Sequence, residues 1–462
     1  MKTLSSINPA NYSVVGEVTV SSQQEIVEKV QKAHAVKKYW KMLGARKRAE
    51  MLRPLLSLFQ QRVQEIATLT SQEMGKPIAQ SLEDIESEDA YFLAFIEQGP
   101  EYLEDEITVN EESQQKSAFH RIVYEPTGVA ACIAPWNYPF NNFIWAVIPN
   151  LVAGNPVIFK HSEECPLIGK LAEEMMQQLN LPEGVFAAVY GDATVGQTLI
   201  EQDIDLIWFT GSSQTGKKLF EIAGKKQVKS LLEMGGSDPA ILFEDIKNIH
   251  IDKVIERIYS RRFTNCGQVC CAVKRLIVHE SIFQEVADKL AKYLENIKVG
   301  DPLDPTTQMG PLVAEHQLLL LESQIANSIA LGAKVLSGGK RPDGLTGAYY
   351  LPTLLTNINR NMRVWKEETF GPVLPIISFA TEEEAIELAN DTIYGLSGVI
   401  YTADQERARR VAAQIDAGCI DINFASHWRP CNPFGGYKAS GVGREHGRPG
   451  FQELCQIKVI AE

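Results

Sequence analysis

Val129-Ala130-Ala131-Cys132-Ile133-Ala134-Pro135-Trp136 (129–136) is a short apolar run closed by a proline, and a helix-length amphipathic segment follows it. The pattern recurs at NPVIFK (155–160), GVFAAVYG (184–191) and DLIWFTG (205–211). Short apolar runs alternating with amphipathic helices predict β-α units and a parallel sheet. After Gly235-Gly236 the alternation restarts. PAILFED (239–245) and KRLIVHE (274–280) read as strands, and Phe283, Val286, Leu290 and Leu294 have helical spacing. A second α/β unit is therefore expected to begin near residue 235. Upstream, two helix-rich segments (22–40 and 46–69) open the chain, and the alternating polar stretch 105–128 reads as an extended arm or hairpin.

The chain has 462 residues, 45% hydrophobic and 22% charged, which is ordinary soluble composition and too long for one core, since single cores stop growing near roughly 250–300 residues. A formal net charge of −13 argues against nucleic acid or an anionic membrane as partner. The N-terminus lacks the apolar core of a signal peptide, and the apolar stretch 140–154 is interrupted by Asn141, Asn142, Pro149 and Asn150. A soluble, cytoplasmic protein is expected. Its eight cysteines are scattered, so reduced thiols are expected rather than a disulfide framework. Three of them crowd the stretch NCGQVCC (265–271). Cys266 and Cys270 have a gap that zinc sites use, but no second pair and no His-x3-His motif lies nearby, so no metal is expected. The cluster then holds either inert core thiols or one nucleophile.

Ligands of α/β proteins bind where strands meet helices. In FTGSSQTG (209–216) a Gly-Ser turn precedes a helix, offering N–H groups to a phosphate, or simply a tight connection. In VIFKHSEECP (157–166), Lys160 and Glu163 at a strand end could bond ribose hydroxyls, or form a solvated pair. In LLEMGGSDP (231–239), Glu233 sits in an apolar run before two glycines, where burial would raise its pKa and suit a general base, or where it caps structure.

Read together with PWNYP (135–139), EETFGPV (367–373) and PFGGYKASGVGRE (433–445), these loops closely resemble the aldehyde dehydrogenase superfamily, from about residue 5 to the C-terminus. The resemblance implies an α/β fold of the aldehyde-dehydrogenase type: a Rossmann-type cofactor domain (1–107 and 127–234), an α/β catalytic domain (235–440) and a small β oligomerisation arm (108–126 and 448–462). It implies NAD(P)-dependent oxidation of a small-molecule aldehyde to the acid. Cys270 would be the nucleophile, the Asn137 amide with the Cys270 N–H the oxyanion hole, and Glu233 the base that readies water for the thioester. The cofactor would lie along Pro135, Trp136, Lys160, Ser162, Glu163, Gly196, Phe209, Thr210, Gly211 and Ser212, with Glu368 on the nicotinamide ribose and Phe370 by the ring. Glu163 favours NAD by repelling a 2′-phosphate, while Ser162 and Lys160 leave NADP open. A homodimer or homotetramer is implied.

By wording, the relatives it most resembles act on succinate semialdehyde and hold its carboxylate with arginine at positions that here carry Trp145 and Thr264. Indole cannot replace a guanidinium–carboxylate fork. Trp145, Cys271 and Trp428 are instead expected to line a tunnel for apolar or cationic aldehydes, with Arg429 either a surface residue or a cation for an acidic substrate. Cys266 is expected to be a better disulfide partner for Cys270 than the adjacent Cys271.

Overall fold

The computed structural model describes residues 2–112 and 117–462. Two large sheets and a small one carry the chain. The first has the order Gly441–Val442, Lys229–Glu233, Leu206–Thr210, Ala130–Ile133, Val157–Lys160, Phe186–Val189. Its five longer strands are parallel, as the alternation of apolar runs predicted. Among these five, chain order reverses between Ala130–Ile133 and Leu206–Thr210. The loops leaving those strands, Pro135-Trp136-Asn137 and Gly211-Ser212, therefore flank the crevice where such sheets hold ligands.

The second sheet begins at Asp238–Leu242, where the expected restart falls, and has seven strands. Val273–His279 and Ser397–Tyr401 flank Asp238–Leu242 in parallel, and one antiparallel pair, Lys334–Ser337 with Thr353–Thr356, ends the sheet. The arm forms a hairpin, Glu106–Glu112 and Ser117–Pro126, whose second strand pairs with Cys455–Ala461. Residues 113–116 of the expected arm lie outside the described residues.

Two expectations are corrected. The chain opens on a β-hairpin, Thr3–Ile7 with Val14–Thr19, before its first helix at Gln23–Met42. A turn closes it, with the Tyr12 and Asn11 N–H groups donating to the Asn8 carbonyl. The segment 46–69 is a succession of helices, Ala45–Leu52, Pro54–Gln61 and Val63–Met74. Pro54 cannot donate within a continuing helix and starts a new one instead.

The two-residue strand Gly441–Val442 reaches the first sheet from beyond the second and pairs antiparallel with Glu233 and Leu232. Ser440, fully buried just before it, ties the sheets together. Its hydroxyl accepts from the Gly395 N–H at 3.0 Å and donates to the Gly235 carbonyl at 2.7 Å. Ser440→Ala strands both backbone groups, so the denaturation midpoint should fall by the equivalent of about 1–3 kcal/mol. An unshifted midpoint in chemical denaturation would remove Ser440 from the seam.

Candidate active site

The turn that carries the three cysteines is built on left-handed backbone. Asn265, Cys266 and Gly267 have φ of 54°, 55° and 73°, a run costly for the first two residues. Gly267 is required on a second count, because an added Cβ would lie 2.4 Å from the Gly371 carbonyl oxygen. Hydrogen bonds hold the run in place. The Asn265 amide donates to the Asn137 carbonyl at 2.8 Å, and the Gln268 side-chain oxygen accepts from the Val313 N–H at 2.9 Å. Arg262, fully buried, donates to the carbonyls of Val373, Gly267, Thr369 and Gly371. Burial lowers its pKa to about 9.

This turn separates the three cysteines. Cys266 packs with Met309 and Leu312, whereas Cys270 and Cys271 pack beside Leu396 and Phe434. Cys266 and Cys270 thus pack in different apolar clusters, while Cys270 and Cys271 share one. Cys270 is half-buried. The neighbouring Cys271 thiol, then burial, hold the Cys270 thiol well above its ordinary range, against the pull of Lys274.

Lys274, read from sequence only as part of a strand, is a site residue that reading missed. Fully buried, its ammonium donates to the carbonyls of Val269 and Cys270 at 2.9 and 2.5 Å and pairs with Glu368 at 2.9 Å. Glu368 also accepts from the Gly236 N–H at 3.1 Å. Glycine is needed here: a Cβ on Gly235 would lie 2.0 Å from the Glu368 carboxylate, and one on Gly236 would lie 2.7 Å from the Cys270 carbonyl oxygen. The pair after Glu233 thus lets the thiol turn and the Glu368 loop close on the end of the first sheet.

A cleft of about 650 Å³ runs between the sheets. Cys270, Glu233 and Asn137 all line it. The Asn137 amide donates one hydrogen to the Gln268 carbonyl at 3.0 Å, leaving its second for a ligand. Neither Glu233 oxygen has a partner. Burial, then the charges of Glu445 and Cys270, raise this carboxyl well above its ordinary value, and only Arg444 opposes them. Glu445, raised by burial to about 8, accepts from the Thr210 hydroxyl at 3.3 Å. The sequence reading quoted Glu445 in a motif and gave it no role. Its signal was available: a carboxylate inside a glycine-rich run that folds onto the sheet edge.

One end of the cleft is lined by Pro135, Trp136, Thr210, Gly211, Ser212, Glu368 and Phe370. Ser212 caps the helix Ser213–Lys226 by accepting from the Thr215 N–H, and Trp136 meets Phe370 edge-on at 5.4 Å. A helix start, two small residues and a carboxylate at one end of the cleft fit a dinucleotide. Lys160, Ser162, Glu163 and Gly196 lie outside the cleft lining. Lys160 and Ser162 are buried at the end of Val157–Lys160, with the lysine 3.4 Å from Glu163. Gly196 packs against the Lys160 stem, where a Cβ would meet the lysine at 3.3 Å. Phe209 departs from expectation: it is a core side chain packed beneath Gly211 and does not face the cleft.

At the other end, Tyr91, Trp145 and Trp428 join Cys271. Trp145 stacks on Trp428 at 5.9 Å, and Trp428 on Phe434 at 4.7 Å. No arginine or lysine lines the cleft among the described residues, and Arg429 is exposed.

A family model described as "Aldehyde dehydrogenase family" matches residues 1–460. The chain is 36% identical to an aminoaldehyde dehydrogenase of Pisum sativum, over 99% of this chain and 92% of that one. It is 33% identical to an NADP-dependent succinate-semialdehyde dehydrogenase of Deinococcus radiodurans, over 98% and 94%. It superposes on a crystal structure of betaine aldehyde dehydrogenase from Staphylococcus aureus in complex with NAD+ with a TM-score of 0.94 and 31% identity, covering 100% of this chain and 91% of that one.

Because the Glu445 charge raises the Glu233 pKa, Glu445→Gln should make Glu233 easier to ionise. The acidic limb of the pH–kcat profile should then move to lower pH by roughly one unit, the scale of a like charge in a buried site. A limb that stays or moves upward would uncouple the two carboxyls.

Proposed function

Because the chain belongs to the aldehyde dehydrogenase family and carries out NAD(P)-dependent oxidation of an aldehyde, we propose that Cys270 is its nucleophile, Asn137 its oxyanion donor and Glu233 its hydrolytic base. The observation that carries this assignment is the convergence of all three side chains on one cleft whose far end suits a dinucleotide.

In this reading the Cys270 thiol loses its proton to solvent, and the sulfur adds to the aldehyde carbonyl. The displaced electron pair settles on oxygen, where the free Asn137 N–H and the Cys270 backbone N–H hold it. The dinucleotide supplies the acceptor for the hydride, which leaves a thioester on Cys270. Glu233 then takes a proton from water, the hydroxide attacks the thioester, the C–S bond breaks and the acid departs. Glu368 positions the cofactor ribose while Lys274 ties it to the turn bearing Cys270. Glu163, beside Lys160, keeps NAD ahead of NADP in this scheme.

The aromatic wall and the absence of a lining cation support neutral or cationic aldehydes over succinate semialdehyde. The eight free cysteines support a reducing, cytoplasmic setting. No helix of the described residues is long and apolar enough to cross a membrane.

With both cofactors and an aldehyde panel, Cys270→Ala should lose NADH production entirely. Glu233→Gln should retain a burst of NADH stoichiometric with sites but lose steady-state turnover by about 10²-fold or more. Undiminished conversion in Cys270→Ala would defeat the assignment.

The three-stranded sheet supports a homo-oligomer. Ile107, Ile457 and Val459 on it are 61%, 67% and 64% exposed, and such an apolar edge needs cover. Light scattering should give a mass two or four times the chain's, reduced by Ile457→Glu with Val459→Glu. A monomeric parent protein would refute it.

A further inference from the structure

The chemistry above gives the N-terminal hairpin no part, yet its turn reaches across the molecule. Strands Thr3–Ile7 and Val14–Thr19 pack on helices Val63–Met74 and Pro166–Gln177, beside the first sheet. The turn between the strands touches the second unit. The Ala348 N–H donates to the Pro9 carbonyl at 2.9 Å, and a Cβ on Gly347 would lie 2.4 Å from the Ala10 carbonyl oxygen. The Tyr12 hydroxyl donates to the Glu315 carboxylate. Tyr12 holds a left-handed φ of 61°, uncommon for a bulky residue, in a turn pinned by the Ala10 and Ser13 N–H groups on the Asn8 and Asn11 side chains, both at 2.9 Å.

Glu315 opens helix Glu315–Ala330, whose start has no side-chain cap. Such a start leaves N–H groups without helical partners and frays unless something holds it. The Glu315 carboxylate supplies the hold, taking the Tyr12 hydroxyl and the Arg341 guanidinium, the latter at 3.2 Å. Just upstream the chain is fixed: Leu312 and Val313 are buried, and their N–H groups donate to the Ala348 carbonyl and the Gln268 side chain, both at 2.9 Å. Downstream, Gln317 and Leu320 line the cleft. One turn beyond Leu320, the buried Gln324 amide donates to Glu367 at 3.0 Å and to the Glu368 carbonyl at 3.1 Å. The helix thus carries a strip of the cleft wall and braces the loop of Glu368.

We propose that Tyr12 is a positioning residue for the dinucleotide: through Glu315 it holds the first turns of helix Glu315–Ala330, and with them Gln317 and Leu320, in place on the cleft wall. This role rests on the dinucleotide reading of the cleft end lined by Glu368 and Phe370. The hairpin is anchored on the first sheet's side of the cleft and the helix belongs to the second, so the bond resists their separation. The reacting groups lie on other elements: Cys270 in the turn held by Arg262, Glu233 at the end of Lys229–Glu233, and Asn137 beyond Ala130–Ile133. Loss of the latch should therefore loosen the cofactor and leave the bond-making steps alone. Burial, then the bond to Glu315, raises the Tyr12 pKa, so the hydroxyl remains a donor at working pH.

Dissociation constants for NAD+ and NADH are measured by fluorescence titration of the full-length protein, in wild type, Tyr12→Phe, Glu315→Ala and the double variant. Tyr12→Phe should weaken binding by about threefold or more, the scale of one partly exposed bond to a carboxylate. NADH should leave faster by a similar factor in stopped flow. The NADH burst rate at saturating NAD+, and KM for the aldehyde the wild type uses best, should not change. The double variant should bind no more weakly than Glu315→Ala, because both changes remove the same bond. In wild type alone, NAD+ should slow hydrogen exchange of residues 315–320, a readout that needs no variant. Unchanged affinity in Tyr12→Phe, a loss that falls on the burst rate or on aldehyde KM, additive losses in the double variant, or exchange indifferent to NAD+ overturns the role of Tyr12. A wild type that binds neither NAD+ nor NADH would instead sink the dinucleotide reading on which it stands.

Discussion

The site depends on one buried guanidinium. Arg262 directs its hydrogen bonds to four backbone carbonyls, and these belong to two segments far apart in sequence, the thiol turn and the loop 369–373. A guanidinium out of water needs its donors filled, and stray carbonyls in a dry interior need donors. Each requirement meets the other, so the left-handed run at 265–267 becomes the conformation that leaves least unsatisfied. Cys270 faces the cleft because Cys266 is turned into the core on the other side of that run.

Around this anchor the charges are arranged to disagree. Glu233, Glu445 and the Cys270 thiol are all raised in proton affinity: Glu233 by burial and the charges of Glu445 and Cys270, Glu445 by burial, and Cys270 by Cys271, burial and the Glu368 charge. Lys274 is the cation inside the turn, and it neutralises Glu368 while filling the carbonyls of Val269 and Cys270. One lysine therefore links Glu368 to the turn that carries Cys270. A low local dielectric makes both the repulsion and the link strong.

Much of the architecture was legible. The strands at 130–133, 157–160, 186–189 and 206–210 are apolar on both faces because helices cover both sides of a parallel sheet, and that leaves a plain mark on composition. The N-terminal hairpin left no such mark, since its strands mix apolar and polar residues and only Ser6 and Val18 in them are buried. Strand 441–442 is too short for any periodicity to register; a glycine-rich run and Ser440 hold it. In the site, Asn137, Cys270 and Glu233 were visible as polar residues at strand ends or in tight turns. Lys274 was hidden inside an apolar strand pattern, and Phe209, though next to the glycine turn, points into the core because side chains alternate along a strand.

The sequence by itself determined the fold class, the succession of β-α units and the chemical types of the reacting groups, because these follow from local periodicity and from motifs a few residues long. Only the tertiary structure decided which groups share a field. Glu233 and Glu445 lie on segments far apart, and burial raises both while the Glu445 charge raises Glu233 further. Proximity between distant segments and exclusion of water are properties of packing, and no local pattern of residues encodes them.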